Sequence, residues 1–389
     1  MAHRVFIGPF SALEPRWMRE VGRLQSGDPL APVCVLVGSN ILASHLKICI
    51  TDAGQTVANL RFYTFLDLAA RLAHPTGSDS HGPRLPHLGA SWILEKLLEA
   101  ETPQVFREVG RFPGFRAAML DTFRDLRDAG IAPGQLESDL RRLVRDYGDR
   151  EEALDRERSL LATAALYRRF RAQLAFFRDV DDDFREAVRN ASHAADILQA
   201  GNLAVYGIYD VTGQQADLLR ALKDSLEMTY FVPYTGDASS GFAGPFLEAR
   251  SSELGVNPEK LQVGYRETGL DRFASRILSS GHDADQGEEA RNQKRPEERS
   301  APLAADGTFS LLSVPGESRS AVEIVREILR AVREGVISGF YQAAVLLRRP
   351  EEEAAILVEA FRLRGIPYFL HAGSSLLERP LGQAMLAIA

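Results

Sequence analysis

Continuous apolar runs of strand length, each followed by a helix-like segment, stand at both ends of this 389-residue chain, whereas its middle has almost none. Arg4-Val-Phe-Ile-Gly8 and Val33-Cys-Val-Leu-Val37 do not alternate apolar with polar residues, which is the pattern of parallel strands buried on both faces. Further strands are expected at 59–63, 203–209 and 228–232. From 87 to about 200 the spacing becomes helical. Phe115, Met119, Phe123 and Leu126 mark one helix stopped by Gly130 and Pro133, and Leu160, Leu161, Ala164, Tyr167 and Phe170 mark a longer one starting near Glu151. The order predicts an α/β domain in two parts, 1–78 and 201–278, interrupted by an all-helical insertion, 79–200. The first strand and the one over 203–209 are expected to be neighbours in a single parallel sheet.

Residues 279–306 are charged or small and polar with almost nothing apolar, and read as a disordered linker. In 307–389 the pattern restarts, with strands expected at 308–314, 343–347 and 368–370 and helices over 321–332 and 356–363. The last run, 381–389, is apolar and helical with no cap, which reads as a chain continuing into further sequence.

A hydrophobic fraction of 45% and a charged fraction of 25% are those of a soluble globular protein. The net charge of −7 announces no global basic field, although a basic groove fits within an acidic body. Cys34 and Cys49 sit in or near apolar runs and read as buried hydrophobes, so no metal ligand is assigned. No signal segment opens the chain, and no apolar run approaches the roughly 18 residues of a membrane span. The expected address is cytoplasmic, with no membrane partner.

Five stretches carry a resemblance. Leu203-Ala-Val-Tyr-Gly-Ile-Tyr-Asp-Val-Thr-Gly-Gln-Gln215 has the strand, the Asp210 and the Gln215 of a metal-binding strand in superfamily 1 helicases of the UvrD/RecB type. Ala344-Val-Leu-Leu-Arg-Arg-Pro350 and Gly365-Ile-Pro-Tyr-Phe-Leu370 are similar to a run in the second motor domain of those helicases. The "Leu-x-x-x-Pro-Leu" ending at Leu381 and the stretch Gly114 to Gly130 resemble the AddB-type subunits of bacterial helicase–nucleases. The resemblance implies a RecA-like parallel-sheet domain interrupted by a helical insertion, then a partial second RecA-like domain over 307–389. It also implies work on DNA in double-strand-break repair and recombination, an AddA-type helicase–nuclease partner, and a PD-(D/E)XK exonuclease domain beyond these residues.

The departures from that pattern decide the functional expectation. After Gly8 the chain reads Pro9-Phe-Ser-Ala-Leu-Glu-Pro-Arg-Trp17, with no Gly-Lys-Ser/Thr to cradle phosphates; Arg16 is the only replacement for the lysine. Tyr206 and Gly207 stand where the family has two acidic residues, and neither side chain holds Mg²⁺. Leu66 replaces the histidine of a Thr-Phe-His element at Thr64-Phe65, and Arg348 occupies the place of a γ-phosphate-sensing arginine. The nucleotide site is therefore read as degenerate at Gly8, Arg16, Tyr206, Gly207, Asp210, Gln215 and Arg348, with no catalytic residue and no cofactor in these residues. Asp181-Asp-Asp183 reads as a helix N-terminus rather than a metal site.

A motor without ATP can still hold its track. By the resemblance, single-stranded DNA would meet Ser39 and Asn40 after the second strand and Thr64 and Phe65 after the third, although Phe65 also opens an amphipathic helix and fits the core. Tyr209 is a further position. Arg168 and Arg169, like Arg141 and Arg142, could meet duplex phosphates, but interleaved acids such as Asp139 are those of a solvated face. Three readings stand: an inactivated helicase-like module that guides or scaffolds DNA, an active ATP-dependent helicase or exonuclease subunit with unusual motifs, and a protein-interaction scaffold without DNA contact.

Overall fold

A computed structural model describes residues 2–75, 88–145, 151–177, 179–237, 239–261 and 307–371, with a few isolated positions besides. The chain divides into two compact units, Met1–Leu303 and Ala304–Ala389. The expected linker, 279–306, and the runs beyond 371 fall almost wholly outside the described residues.

The first unit is built on one all-parallel sheet of six strands. In chain order these are β1 (Arg4–Ile7), β2 (Val33–Val37), β3 (Leu60–Tyr63), β4 (Asn202–Tyr206), β5 (Glu227–Val232) and β6 (Glu259–Lys260), and in space they lie β3-β2-β4-β5-β1-β6. The α/β expectation holds, with two corrections. β1 and β4 share the sheet but are not neighbours, because β5 pairs with both. β6 has no counterpart among the expected strands: it is two exposed residues, too short and polar to leave an apolar run.

Alternate residues of each strand feed different cores. Toward one face, Phe6, Val33, Val35, Val37, Ala204, Tyr206 and Phe231 pack with α1 (Phe10–Leu24) and α2 (Asn40–Asp52). Toward the other, Val5, Cys34, Leu36, Leu203, Val205, Met228 and Tyr230 pack with α3 (Phe65–Ala73) and with helices that follow the insertion. Every residue of β2 is buried, which is why its sequence never alternates.

Between β3 and β4 come α4 (Gly89–Ala100), α5 (Pro113–Asp128), α6 (Pro133–Arg145), α7 (Glu151–Leu174), α8 (Val180–Arg189) and α9 (Ala194–Leu198). The residues expected at helical spacing do form a separate core, with Met119 and Phe123 of α5 against Tyr167 and Phe170 of α7 and Ile93, Leu94 and Leu98 of α4. α8 and α9 behave differently. Phe184, Ala187, Ala194 and Leu198 join the sheet core beside α3, so part of the 79–200 segment packs as a layer of the sheet domain. The unit is completed by α10 (Gly213–Leu222) and α11 (Gly244–Leu254).

A buried ionic node ties the helical block to the sheet domain. Arg127, at the end of α5, donates from Nε to Asp181 and from a terminal nitrogen to Asp179, each at 2.6 Å. Arg171 of α7 reaches Asp181 at 2.8 Å. Asp179 caps α8 and forms a reciprocal capping box with Asp182, while Asp183 meets His74 at 3.0 Å. The acidic run is thus consumed by capping and ion pairs. Gln214 of α10 donates to the Arg127 carbonyl at 2.6 Å. Next to it, a Cβ on Gly213 would lie 2.3 Å from the Ala129 carbonyl oxygen, so only glycine permits this approach.

In the second unit α12 (Glu317–Arg333) and α13 (Pro350–Leu363) pack through Ala321, Val325, Leu357 and Phe361, with Ile366 beside them. The strands expected at 308–314, 343–347 and 368–370 are not hydrogen-bonded into a ladder among the described residues. Leu311, Leu346 and Phe369 on them are 87%, 94% and 89% exposed. An apolar run becomes a strand only where a neighbour accepts its backbone groups, and the two helices provide none. No helix among the described residues is long and apolar enough to cross a membrane.

The node makes a quantitative prediction. Burial pushes the Asp181 carboxyl up, but the hydrogen bond and charge of Arg127 outweigh it and hold Asp181 below the usual carboxylate range; burial leaves Asp179 above it. Arg127→Ala takes the guanidinium from Asp179 and leaves Asp181 with Arg171 alone, and should cost about 3–5 kcal/mol at neutral pH, read by urea denaturation. Asp181 contributes its stability above its unfolded pKa and loses it as pH falls through the depressed folded value, while protonation relieves the under-compensated carboxylates in the variant. The deficit should therefore shrink below about pH 4; a deficit unchanged with pH would refute the assignment.

Candidate functional site

Because all six strands run the same way, the turns after β1 to β5 converge on one edge of the sheet, where open α/β folds hold their ligands. On that edge β1 leads through Gly8 and Pro9 directly into α1, with Pro9 at the N-cap position and no side-chain cap. Phe10, the first helical residue, is turned toward the tip of β4. Its ring centroid is 6.3 Å from that of Tyr206.

Tyr206 is fully buried among aromatic neighbours, 5.9 Å from Trp17 of α1 and 5.7 Å from Phe231 of β5. Phe231 in turn lies 5.4 Å from Phe6, so the strand between β1 and β4 joins them through its own ring. Gly207 follows with φ +68, a left-handed conformation that favours glycine. A Cβ added there would meet Leu42 at 3.0 Å and Phe10 at 3.4 Å. A carboxylate at 206 or 207 would have to enter this packed apolar cluster without a partner.

Arg16 does not face the tip of β4. Its guanidinium lies over the Phe6 ring, 4.2 Å from the centroid, and reaches toward Glu259 of β6 at 4.0 Å. Gln215 accepts from the Thr212 N–H at 3.1 Å, and its own N–H donates to the Thr212 hydroxyl, a capping box that starts α10. Asp210 is exposed in the loop between Tyr209 and that cap. Arg348 is an exposed residue of the second unit. Of the degenerate nucleotide positions, then, Tyr206 and Gly207 are brought against the start of α1, and Arg16 and Gln215 have structural partners.

The positions assigned to DNA lie on two separate parts of the first unit. Ser39 caps α2 by accepting from the Leu42 N–H, and Asn40 is exposed beside it. Thr64 forms a capping box with Asp67 at the start of α3. All three are on the sheet edge. Phe65 is buried in the sheet core, the outcome its amphipathic helix predicted, and the neighbouring Leu66 is the exposed one. Arg168 and Arg169 are on α7 of the helical block and pair with Glu137 at 2.9 Å and Glu101 at 3.2 Å.

One contributor escapes a reading of the sequence. Phe242, after β5, is 59% exposed and stacks edge-on against Tyr209, with centroids 4.8 Å apart. The loop beneath it is fixed by Asp237, which accepts from Ser239 at 2.6 Å and Thr235 at 2.8 Å. Burial raises the Asp237 carboxyl, but these hydroxyl and backbone donors outweigh it and hold it below the usual range. The aromatic in the glycine-flanked Gly241-Phe-Ala-Gly244 is the signal the sequence offers.

No family model matches this chain. Among curated proteins it is similar to the ATP-dependent helicase/deoxyribonuclease B subunit of Bacillus velezensis, 24% identical over 325 residues. The protein of that name from Bacillus subtilis is 25% identical over the same length. Each match covers 82% of this chain but only 27% of the relative, so the chain spans about a quarter of the proteins it resembles. The chain is thus distantly similar to the helicase/deoxyribonuclease B subunits through most of its own length.

Proposed function

We propose that this chain is a helicase-derived module that no longer uses nucleotide and that guides DNA within an AddB-type nuclease subunit. The observation that supports it is the closure of the β4 tip. Phe10, Leu42, Trp17 and Phe231 surround Tyr206 and Gly207, the positions where the resemblance puts Mg²⁺-binding carboxylates. A nucleotide needs backbone N–H groups and a cation around its phosphates and oxygen ligands around the metal. At this tip the chain offers rings and an aliphatic side chain, and its nearby Arg16 is stacked on Phe6.

The work left to such a module is contact with the strand. Tyr209 and Phe242 present aromatic faces on the same sheet edge as Ser39, Asn40 and Thr64, which suits sequence-tolerant stacking of unpaired bases. In the full assembly the reading continues with DNA double-strand-break repair and recombination in the cytoplasm, an AddA-type helicase–nuclease partner, and an exonuclease domain elsewhere in the subunit. A scaffold without DNA contact is the competing reading, favoured by the net charge of −7.

Two measurements test this. Calorimetry with MgATP is expected to give no heat of binding, and a dissociation constant in the micromolar range would restore the active-helicase reading. Titration with a fluorescent single-stranded oligonucleotide should show binding that weakens as salt rises. Phe242→Ala and Tyr209→Ala should each weaken it by about 5- to 160-fold, the loss of one stacked base at roughly 1–3 kcal/mol. No binding at about 50 mM salt with micromolar protein would favour the scaffold instead.

A further inference from the structure

α1 and α2 lie side by side on the face of the sheet that Tyr206 enters, and their facing surfaces bring together three donor groups of different chemistry. Glu14 comes from α1, and His45 and Cys49 come from α2, where a separation of four residues puts both on one side of the helix. His45 Nε2 is 2.7 Å from Glu14 Oε1, and Cys49 Sγ is 3.4 Å from the same nitrogen. All three donor atoms fall within 4.8 Å of one another.

We infer that Glu14, His45 and Cys49 form a binding site for a thiophilic divalent cation of the zinc class, with one coordination position left to water. The distances fit that ion. Metal–sulfur bonds of about 2.3 Å and metal–nitrogen bonds of about 2.0–2.1 Å in a tetrahedron put the two atoms roughly 3.5 Å apart. The His45–Cys49 pair already meets this, and only the Glu14 carboxylate has to withdraw, by about half an ångström, which a side-chain rotation supplies. A mixed nitrogen, sulfur and oxygen set selects zinc-like ions over Mg²⁺ and Ca²⁺, which require oxygen ligands.

The i, i+4 spacing brings Cys49 beside His45, and the Glu14 carboxylate from α1 completes the set of three donors. The Tyr206 hydroxyl, buried with no hydrogen-bond partner among the described residues, lies on the same face of the sheet. Metal entry releases the Cys49 thiol proton to solvent as the sulfur–metal bond forms. Carboxylate and thiolate together then balance the ion's two positive charges.

The two cysteines, both expected to be buried hydrophobes, differ in burial. Cys34 is a buried hydrophobe of β2, with its thiol pushed up to about 11 by burial, whereas Cys49 is only partly buried and faces His45. The site is independent of what the sheet edge does with DNA.

Cobalt(II) titration of the full 389-residue chain under reducing conditions tests the site. One equivalent should produce a thiolate-to-cobalt charge-transfer band that zinc displaces. Cys49→Ser should abolish the band, and Glu14→Gln should weaken cobalt binding at least about tenfold, roughly 1.4 kcal/mol. Cys34→Ala should retain the band, and circular dichroism should show each variant folded like the parent. Absence of the band with excess cobalt, or a band that survives Cys49→Ser, would overturn the proposal.

Discussion

The central strand of the sheet arrives late in the chain, and the rest of the first unit is arranged around that fact. β4 sits between β2 and β5, and its Asn202 bonds the backbone of Cys34, 168 positions earlier. Until β4 is in place, β2 lacks a neighbour on one side and β5 lacks its link to the β2–β3 pair. The helical block must leave the sheet after β3 and return the chain in register. Ordering so distant a pairing is entropically costly, and it is offset only when both sheet faces are covered at once. The Arg127 node serves this geometry by fixing the end of α5 and the side of α7 to the start of α8, where the chain rejoins the sheet.

On the proposed reading, the tip of β4 shows what such a frame does when it is released from one task. A ligand cradle in an α/β fold is polar, open and costly to keep dry. Here the equivalent space is filled by rings from α1, β4 and β5 and by the Leu42 side chain, which extends the core to the sheet edge. The polar groups nearby have structural partners: Arg16 stacks on Phe6, and Gln215 starts a helix. The edge thereby keeps its loops, with Tyr209 and Phe242 outward, on a better-packed base.

Much of this was legible in the sequence, for identifiable reasons. β1, β2, β4 and β5 are buried on both faces, so their apolar runs are continuous and easily seen. Met119, Phe123, Tyr167 and Phe170 carry the helical period because they share a separate core. That Tyr206 and Gly207 stand where the resemblance puts acidic residues is also a reading of the sequence. What escaped depends on where helices point. The packing of α8 and α9 onto the sheet could not be told from the packing of α5 and α7, since both are amphipathic. The convergence of Glu14 with His45 and Cys49 depends on the rotation of α1 against α2, and the pairing of Arg168 with Glu137 on that of α7 against α6. The apolar segments of the second unit read as strands because strand character in sequence is only half of a pairing, and the other half is a neighbour.

The contact at Gly213 carries a mechanical consequence. Its missing side chain lets the first turn of α10 rest against the Ala129 carbonyl, and Gln214 locks onto the adjacent carbonyl of Arg127. Main chain against main chain has little give, so the junction acts as a stiff lever rather than a hinge. A load on the helical block would travel through α5 into α10 and onward to the short loop that carries Tyr209.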